Sequence, residues 1–297
     1  MTVEELFVIW IEYKKIEVKK SSISTYTRKI DTYILPVLGR YSLNNITVTM
    51  VSHFICELME KLSSKTIIDI KTILQSSLNF AYTQNFIDRK ITIPSPPHVK
   101  TEVETFNTKD QKKITDYIIG HMNNRNFLVL LSLNTGMRVG ELCALKYRDI
   151  KKVCMIRHTI QRIKNLDSVE SKTCLHLGTP KSKLSLRPVP LNNSILEVFQ
   201  NIYSKDKDDC YILTSSKEFS EPRLLEKFFE AFLNECHVPY KKFHTLRHTF
   251  ATSALRCGVD IKTLAEIMGL SVKILISTYI HSDLQQKIDS MEKLQIT

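Results

Sequence analysis

The sequence predicts a mainly α-helical protein with a small antiparallel β-sheet, divided into two domains. The chain has 297 residues, more than one compact domain usually holds. Apolar residues recur at helical spacing over most of its length, whereas β-branched residues concentrate in one stretch of the second half. Three prolines fall within residues 94–97, where no helix can continue. These observations favour two helical units, the second of which contains the sheet.

Four helices are predicted before the prolines, with short connections that are typical of a small α bundle. The first follows Thr2 and Glu5, which form a T-x-x-E capping box. The second is expected to stop at Pro36, and the third to have Thr49 as its N-cap. The last three predicted helices cover residues 22–34, 49–62 and 64–85.

The proline segment is predicted to separate the domains, because it is extended and the residues after it are polar. We therefore expect an N-terminal helical domain over residues 1–92, a linker over residues 93–106 and a second domain over residues 107–297.

The second domain is predicted to be helical at both ends, with strands between. Thr108 is the expected N-cap of its first helix, and Gly136 is expected to break the second. Helices are predicted over residues 108–122, 126–133, 139–145, 194–203, 221–236, 245–257, 261–268 and around Tyr279. Three antiparallel strands are predicted over residues 153–163, 174–177 and 186–191, with a turn over residues 178–185.

Charge and cysteine usage narrow the functional class. The net charge of +11 favours an anionic partner, nucleic acid first and an acidic membrane surface second. No G-x-G-x-x-G or G-x-x-x-x-G-K-[ST] motif supports nucleotide chemistry. The seven cysteines are odd in number and lack a C-x-x-C pair, which fits neither a disulfide framework nor a zinc site but fits reduced thiols in a cytoplasm. No signal peptide and no apolar run of ~20 residues occurs, so we expect a cytoplasmic, soluble protein.

Four polar segments of the second domain could carry chemistry. They contain Arg138 after a glycine break, Lys181 and Lys183 on a predicted turn, an H-x-x-R pair at His244 and Arg247, and Tyr279 followed by His281. Each segment alone is more often an ordinary surface or core feature. The spacing of His244 and Arg247 places both side chains on one face of a helix.

In combination, the segments resemble the tyrosine recombinase (phage integrase) family. Residues 243–252, with the sequence FHTLRHTFAT, look like the box around that family's H-x-x-R pair. Residues 134–145 match its first arginine box, and residues 278–281 match the segment that holds its nucleophile, at the expected distance from Gly269. The N-terminal helices, including residues 34–39, are similar to its core-binding domain. The resemblance covers essentially the whole chain.

This resemblance implies an enzyme that cuts and rejoins DNA at defined sites. Tyr279 would attack the scissile phosphate, giving a 3′-phosphotyrosyl link that conserves the bond energy. Arg138 and Arg247 would bind the nonbridging oxygens as bidentate forks. Lys181 would protonate the leaving 5′-oxygen, with Lys183 as its competitor, and His244 would act in acid–base chemistry or phosphate bonding. The resemblance gives Glu141 a structural role.

One residue departs from the family pattern. After Gly269 the family usually has His or Trp, which donates a hydrogen bond to the phosphate, but this chain has Leu270. Leucine can pack but cannot donate, and nothing in the sequence places His281 or His248 near the phosphate instead. An alternative hypothesis is therefore a catalytically impaired, recombinase-like DNA-binding regulator or accessory factor. A type IB DNA-relaxing enzyme is a third.

The resemblance also implies the partners. It predicts that two domains grip double-stranded DNA, that a homotetramer assembles on two DNA sites, and that accessory DNA-bending factors are possible partners. It implies no metal, nucleotide or other cofactor. The stretch over residues 34–39 favours the integrase of a mobile element over a chromosome-resolving recombinase.

Overall fold

The computed structural model describes residues 1–95, 103–165, 173–179 and 183–279. By its internal contacts the chain divides into two compact units. The first consists of Met1–Thr101 with Arg162–Cys174, and the second of Glu102–Gln161 with Leu175–Thr297. The mainly helical architecture with small antiparallel sheets is the one that the sequence predicts.

Five α-helices and one π-helical segment make up the first unit, as far as its residues are described. They are α1 (Val3–Glu17), α2 (Lys20–Lys29), the π-helical segment Ile30–Ile34, α3 (Leu35–Leu38), α4 (Val48–Met59) and α5 (Ser64–Thr83). The capping box at Thr2 and Glu5 is present as predicted. The predicted cap of α4 is wrong by two residues: Thr47, not Thr49, accepts the N–H of Met50. Trp10, Ile34 and Phe54 lie in the core of this unit.

Pro36 does not stop the second helix, which corrects the prediction. The chain widens into the π-helical segment, where the N–H of Leu35 donates to the carbonyl of Ile30, and then continues through α3. Proline has no N–H and its ring crowds the preceding turn of an α-helix. A wider turn before Pro36 accommodates the ring, so the helix bends instead of ending.

The second unit contributes eight helices in the part of the chain that the structure describes. They are α6 (Thr108–Gly120), α7 (Asn124–Thr135), α8 (Val139–Cys143), α9 (Asn193–Gln200), α10 (Pro222–Glu235), α11 (His244–Arg256), α12 (Ile261–Met268) and α13 (Val272–Tyr279). Asn107, and not the predicted Thr108, caps α6. Gly136 ends α7 with φ 64°, as expected of a helix-terminating glycine.

Within the described ranges, the β-structure consists of two two-stranded sheets, where three strands were predicted. The strands are β1 (Val153–Ile156), β2 (Thr159–Lys164), β3 (Thr173–Gly178) and β4 (Arg187–Pro190). The predicted first strand divides at Arg157 and His158, because its two halves pair with different partners. β1 is antiparallel to β4, with Ile156 opposite Arg187, and β2 pairs with β3.

Two apolar clusters support the second unit and position its polar residues. The larger is centred on α7, whose residues from Asn126 to Leu133 are all buried, and on the aromatic side chains of α10. The smaller joins α11, α12 and α13 through Ala251, Leu264 and Leu275. None of the described helices has both the length and the apolar content to cross a membrane.

Candidate active site

Arg138 lies at the junction between α7 and α8, where it is the N-cap residue of α8. The Glu141 carboxylate accepts the backbone N–H of Arg138 at 3.0 Å and pairs with its Nη1 at 2.7 Å. The Nη2 of Arg138 donates to the Gly269 carbonyl at 3.1 Å. The side chain remains one-third exposed, so its guanidinium is both oriented and accessible.

Glu141 also binds a second arginine, which the sequence analysis did not identify. The Nη2 of Arg187 lies 2.9 Å from Glu141 Oε2, and the Nε of Arg187 donates to the Ile267 carbonyl at 2.6 Å. Burial by itself raises the pKa of Glu141, but the hydrogen bonds and charges of Arg187 and Arg138 outweigh it and hold that pKa below its ordinary value. Glu141 is therefore a carboxylate that fixes the two arginines.

A signal for Arg187 was present in the sequence. Residues 187, 189 and 191 alternate along β4 and so share one face, which includes the apolar Val189 and Leu191. An arginine on a buried face needs groups that accept its hydrogen bonds, because an unpaired buried charge is costly. Which groups it meets depends on the tertiary fold.

Arg247 is almost completely buried on α11, with an exposed fraction of 2%. Its Nη1 donates to the carbonyl of Gly136, and its Nη2 donates to the carbonyl of Met268 at 2.8 Å. Burial and the neighbouring charge of Arg138 lower the pKa of Arg247, but only to about 9, so the guanidinium stays charged at neutral pH. Two helix ends thus hold one charged fork in a fixed orientation.

His244, His248 and Tyr279 form a row beside the arginines. The rings of His244 and His248 are perpendicular with centroids 4.7 Å apart, and the Nδ1 of His248 lies 2.7 Å from the hydroxyl oxygen of Tyr279. Burial, followed by the charges of His248, Arg247 and Arg138, lowers the pKa of His244 to about 4. Burial raises the pKa of Tyr279, although Arg247 and Arg138 oppose this effect. At neutral pH, Tyr279 is therefore a protonated phenol.

The structure thus brings together Arg138, Glu141, His244, Arg247 and Tyr279 from segments far apart in the chain. Lys181 and His281 lie outside the described residues, as does the side chain of Lys183. The backbone just after Lys183 does approach the site: the carbonyl of Leu184 lies 3.0 Å from the position that a Cβ on Gly269 would occupy.

Leu270 is partly buried in the apolar cluster of α11, α12 and α13. Its backbone N–H donates to the Ala265 carbonyl at 2.9 Å, which continues the end of α12. Gly269, just before it, has φ 63°, a conformation that glycine adopts without strain. The side chain at position 270 therefore contributes packing and no hydrogen bond.

Two family descriptions match the chain. Residues 99–286 match the phage integrase family, and residues 2–59 match the N-terminal SAM-like domain of phage integrases. A relative, the XerC-like tyrosine recombinase of Caldanaerobacter subterraneus subsp. tengcongensis, is 31% identical over 261 residues. That match covers 78% of this chain and 66% of the relative, so the chain spans slightly less than two thirds of the relative's length.

Solved structures share the fold. The Tn1549 transposon integrase, determined in complex with a circular intermediate DNA, superimposes with a TM-score of 0.78 at 19% identity. That match covers 99% of this chain and all of the other. A lambda integrase tetramer bound to a Holliday junction gives a TM-score of 0.62 at 15% identity, with 91% of this chain and 78% of that chain covered.

Proposed function

Because this chain belongs to the phage integrase family, we propose that it is a tyrosine site-specific recombinase that cuts and rejoins DNA through a 3′-phosphotyrosyl intermediate. The observation that carries the proposal is the clustering of two fixed arginines, Arg138 and Arg247, with the hydroxyl of Tyr279. Burial raises the pKa of the phenol, and the charges of the two arginines act in the opposite direction to a smaller extent. A tyrosine beside two cations is suited to attack an anionic phosphate.

The two arginines would stabilise the transition state. As Tyr279 attacks, negative charge develops on the nonbridging phosphate oxygens, and preorganised donors stabilise it without reorganising. Arg247 is held at both ends of its fork by carbonyls, yet a guanidinium has five N–H donors, so some remain for a phosphate. Arg138 is more exposed and completes the pair. Removal of one such donor commonly costs ~10²–10³ in rate.

Lys181 would protonate the 5′-oxygen as it leaves, with Lys183 as the competing candidate. The approach of Leu184 to Gly269 supports a position for this turn close to the arginines. His244 would bind the phosphate or exchange protons with it, as a neutral imidazole at physiological pH. His281 remains a possible supporting residue on the grounds of its position in the sequence.

The partner would be duplex DNA, bound by a core-binding domain over residues 1–92 and a catalytic domain over residues 107–297, joined by a linker over residues 93–106. The Tn1549 integrase was solved with DNA and the lambda integrase as a tetramer on a Holliday junction, which supports assembly of a homotetramer on two DNA sites. Accessory DNA-bending factors and a cytoplasmic location belong to the same proposal. The likeness to a transposon integrase supports the integrase of a mobile element.

A suicide substrate tests the function. With a nick a few nucleotides from the scissile phosphate, cleavage releases a short strand that carries the free 5′-hydroxyl. That strand diffuses away and cannot rejoin, so the covalent complex accumulates. We expect a covalent protein–DNA complex on a cognate attachment site with the wild-type chain, and none with Tyr279→Phe, which should still bind DNA. A covalent complex that forms equally on any sequence would indicate a DNA-relaxing enzyme. Sequence-specific binding with no covalent complex would indicate an impaired DNA-binding regulator.

A further inference from the structure

The residue that contacts the hydroxyl of Tyr279 is His248, which the proposed mechanism does not use. Its Nδ1 lies 2.7 Å from the Tyr279 oxygen, a normal hydrogen-bond length, and the ring centroids are 5.5 Å apart. His248 follows Arg247 directly on α11, and Tyr279 ends α13, so two different helices meet at this bond.

The geometry of α11 gives its two histidines different positions. His244 and His248 are four residues apart and share a face of the helix, one turn from each other. The ring of His244 packs edge-on against that of His248, and the ring of His248 continues the row to Tyr279. His248 is therefore between His244 and the nucleophile.

The charged and titratable groups around this hydrogen bond set the resting protonation states of its two partners. The groups are Arg247 and His244 on α11, Tyr279 on α13, and Arg138 at the start of α8, which acts on the phenol. Burial, and then the charge of Arg247, lower the pKa of His248, so its imidazole is neutral at pH 7. A neutral imidazole has one nitrogen without a proton. The raised pKa of Tyr279 means that the phenol keeps its proton until attack and needs a group to receive it.

We propose that His248 is a catalytic residue, the base that accepts the phenolic proton of Tyr279 during strand cleavage. The inference rests on the proposed recombinase function. In the step, the Tyr279 oxygen bonds to phosphorus, the bond from phosphorus to the 5′-oxygen breaks, and the phenolic proton moves to His248 Nδ1. Lys181 gives a proton to the 5′-oxygen. In rejoining, the 5′-hydroxyl attacks and returns its proton to Lys181, while the imidazolium of His248 reprotonates the departing Tyr279.

The first test compares substitutions on a suicide substrate. His248→Ala should slow cleavage by about 10²–10⁴-fold, the usual contribution of a general base. His248→Asn places an oxygen near the position of Nδ1 and keeps the hydrogen bond, but it cannot take up a proton, so it should be nearly as slow. The matched control is His237→Asn, at an exposed loop histidine with φ 52°, a conformation that Asn tolerates. A His248→Asn enzyme with the wild-type rate would overturn the proposal and leave only a positioning role.

Leaving-group chemistry separates the base from the acid. A 5′-bridging sulfur leaves without a proton, so it should restore cleavage by Lys181→Ala but not by His248→Ala.

The pH profile gives a further readout: below the pKa of His248 the base is protonated, so the wild-type rate should fall as pH falls. In His248→Asn that fall should disappear or move to the pKa of His244, which is about 4. The inference would be contradicted if the sulfur substrate restored cleavage by His248→Ala. It would also be contradicted if the rate of His248→Asn fell at low pH in the same way as the wild-type rate.

One measurement needs no DNA and separates this inference from the proposed function. In long-range ¹H–¹⁵N NMR spectra of the full chain, His248 should carry its proton on Nε2, with Nδ1 bare, and Tyr279→Phe should shift the Nδ1 resonance. A proton on Nδ1 would make His248 the donor in the bond to Tyr279 and would refute the base, even in an active recombinase. If Nδ1 is unprotonated but the chain forms no phosphotyrosyl complex on its cognate site, the proposed recombinase function is wrong. The proposed role of His248 as the base then fails with it.

Discussion

Glu141 holds two arginines at once, and each of its carboxylate oxygens accepts hydrogen bonds from both residues. Arg138 Nη1 lies 2.7 Å from Oε1, and Arg187 Nη2 lies 2.9 Å from Oε2, while the glutamate side chain is almost fully buried. A buried charge is tolerated when it is paired and hydrogen-bonded, and removal of one partner leaves the others uncompensated. The orientation of the Arg138 guanidinium therefore depends on a buried carboxylate.

The substitution Glu141→Gln should destabilise the fold by about 3–5 kcal/mol, the usual cost of breaking a buried ion pair. The pKa of Glu141 is lower in the folded chain than in the unfolded one, so its carboxylate contributes stability above the ordinary range of ~4.3. That contribution is lost as pH falls through the folded value. The difference between wild type and Glu141→Gln, measured by urea unfolding, should therefore shrink below pH ~4.

The control for this experiment is Glu57→Gln on α4. Glu57 pairs with His53 at an exposed position, where an ion pair contributes only about 0–1 kcal/mol. Equal losses in the two variants, or a loss at Glu141 that does not change with pH, would contradict the account of Glu141 as the shared carboxylate.

The two candidate lysines, Lys181 and Lys183, give a second prediction at the residue scale. Lys181→Ala should slow cleavage of an ordinary phosphodiester, because a 5′-alkoxide is a poor leaving group without a proton, and a 5′-bridging sulfur should restore the rate. Lys183→Ala, two residues along the chain, provides the matched comparison. If sulfur restores cleavage in Lys183→Ala and not in Lys181→Ala, the acid is Lys183.

Leu270 gives a third prediction. Leu270→His introduces the donor that the family usually has after the glycine, and a charge-assisted hydrogen bond of about 1.5–3 kcal/mol corresponds to roughly a tenfold to hundredfold faster cleavage if it forms only in the transition state. The rate is measured on the suicide substrate. Thermal unfolding is the control, since Leu270 packs against the cluster of α11, α12 and α13 and its loss would lower the melting temperature. An unchanged rate in an equally stable protein would show that no donor is missing.

At the scale of elements, two helix ends shape the site. α7 ends at Gly136 and α12 at Gly269, both with positive φ, and the carbonyls at these ends accept hydrogen bonds from Arg247 and Arg138. A left-handed terminal residue turns the last carbonyls of a helix away from its axis, where they can meet a side chain. The helix ends thus provide acceptors for the arginine forks.

Gly136→Ala should cost more stability than the same change at another left-handed glycine, Gly258. Both changes incur the strain of a positive φ, about 1–2 kcal/mol. A Cβ at position 136 would also lie 2.6 Å from Cδ1 of Phe250, whereas nothing lies within 4 Å at position 258. Overpacking of this kind adds typically 1–3 kcal/mol. Urea unfolding of both variants measures the difference, and equal losses would mean that Phe250 moves aside freely.

Local features of the elements could be predicted from the sequence, whereas features that depend on pairing could not. Gly136 was predicted to break its helix because a helix-terminating glycine acts locally. The caps at Thr47 and Asn107 were missed by one or two residues, since several neighbouring side chains can accept the same bond. The division of the strand at Arg157 follows from two different partners, β4 and β3, which no local pattern reveals.

The same distinction applies to the site. His244 and Arg247 are three residues apart, so their common face follows from helical spacing alone. Arg187 lies 46 residues from Glu141, and His248 lies 31 residues from Tyr279. Those contacts depend on how α8, α11, α13 and β4 pack, and the residues involved have ordinary structural interpretations when each is considered alone.

At the scale of the whole molecule, the net charge of +11 gives a quantitative expectation for DNA binding. Each phosphate that the protein neutralises should contribute about −0.9 to the slope of log K against log salt concentration, because condensed counterions are released. Binding of Tyr279→Phe, in which cleavage does not interfere, should therefore weaken steeply between low and physiological salt. An affinity independent of salt would contradict a phosphate-dominated interface, and the comparison of cognate with random duplex gives the sequence-specific part.

The hydrogen bonds of Arg247 have a consequence for how this protein can change over generations. Its two acceptors are main-chain carbonyls, at Gly136 and Met268, and every amino acid supplies such a carbonyl. A substitution at Met268 therefore leaves the acceptor in place, provided that α12 still ends at the same point. Heritable variation in this part of the chain is constrained by backbone conformation more than by side-chain chemistry. Mutations that shift a helix end should be selected against more strongly than mutations that change the residue beside the guanidinium.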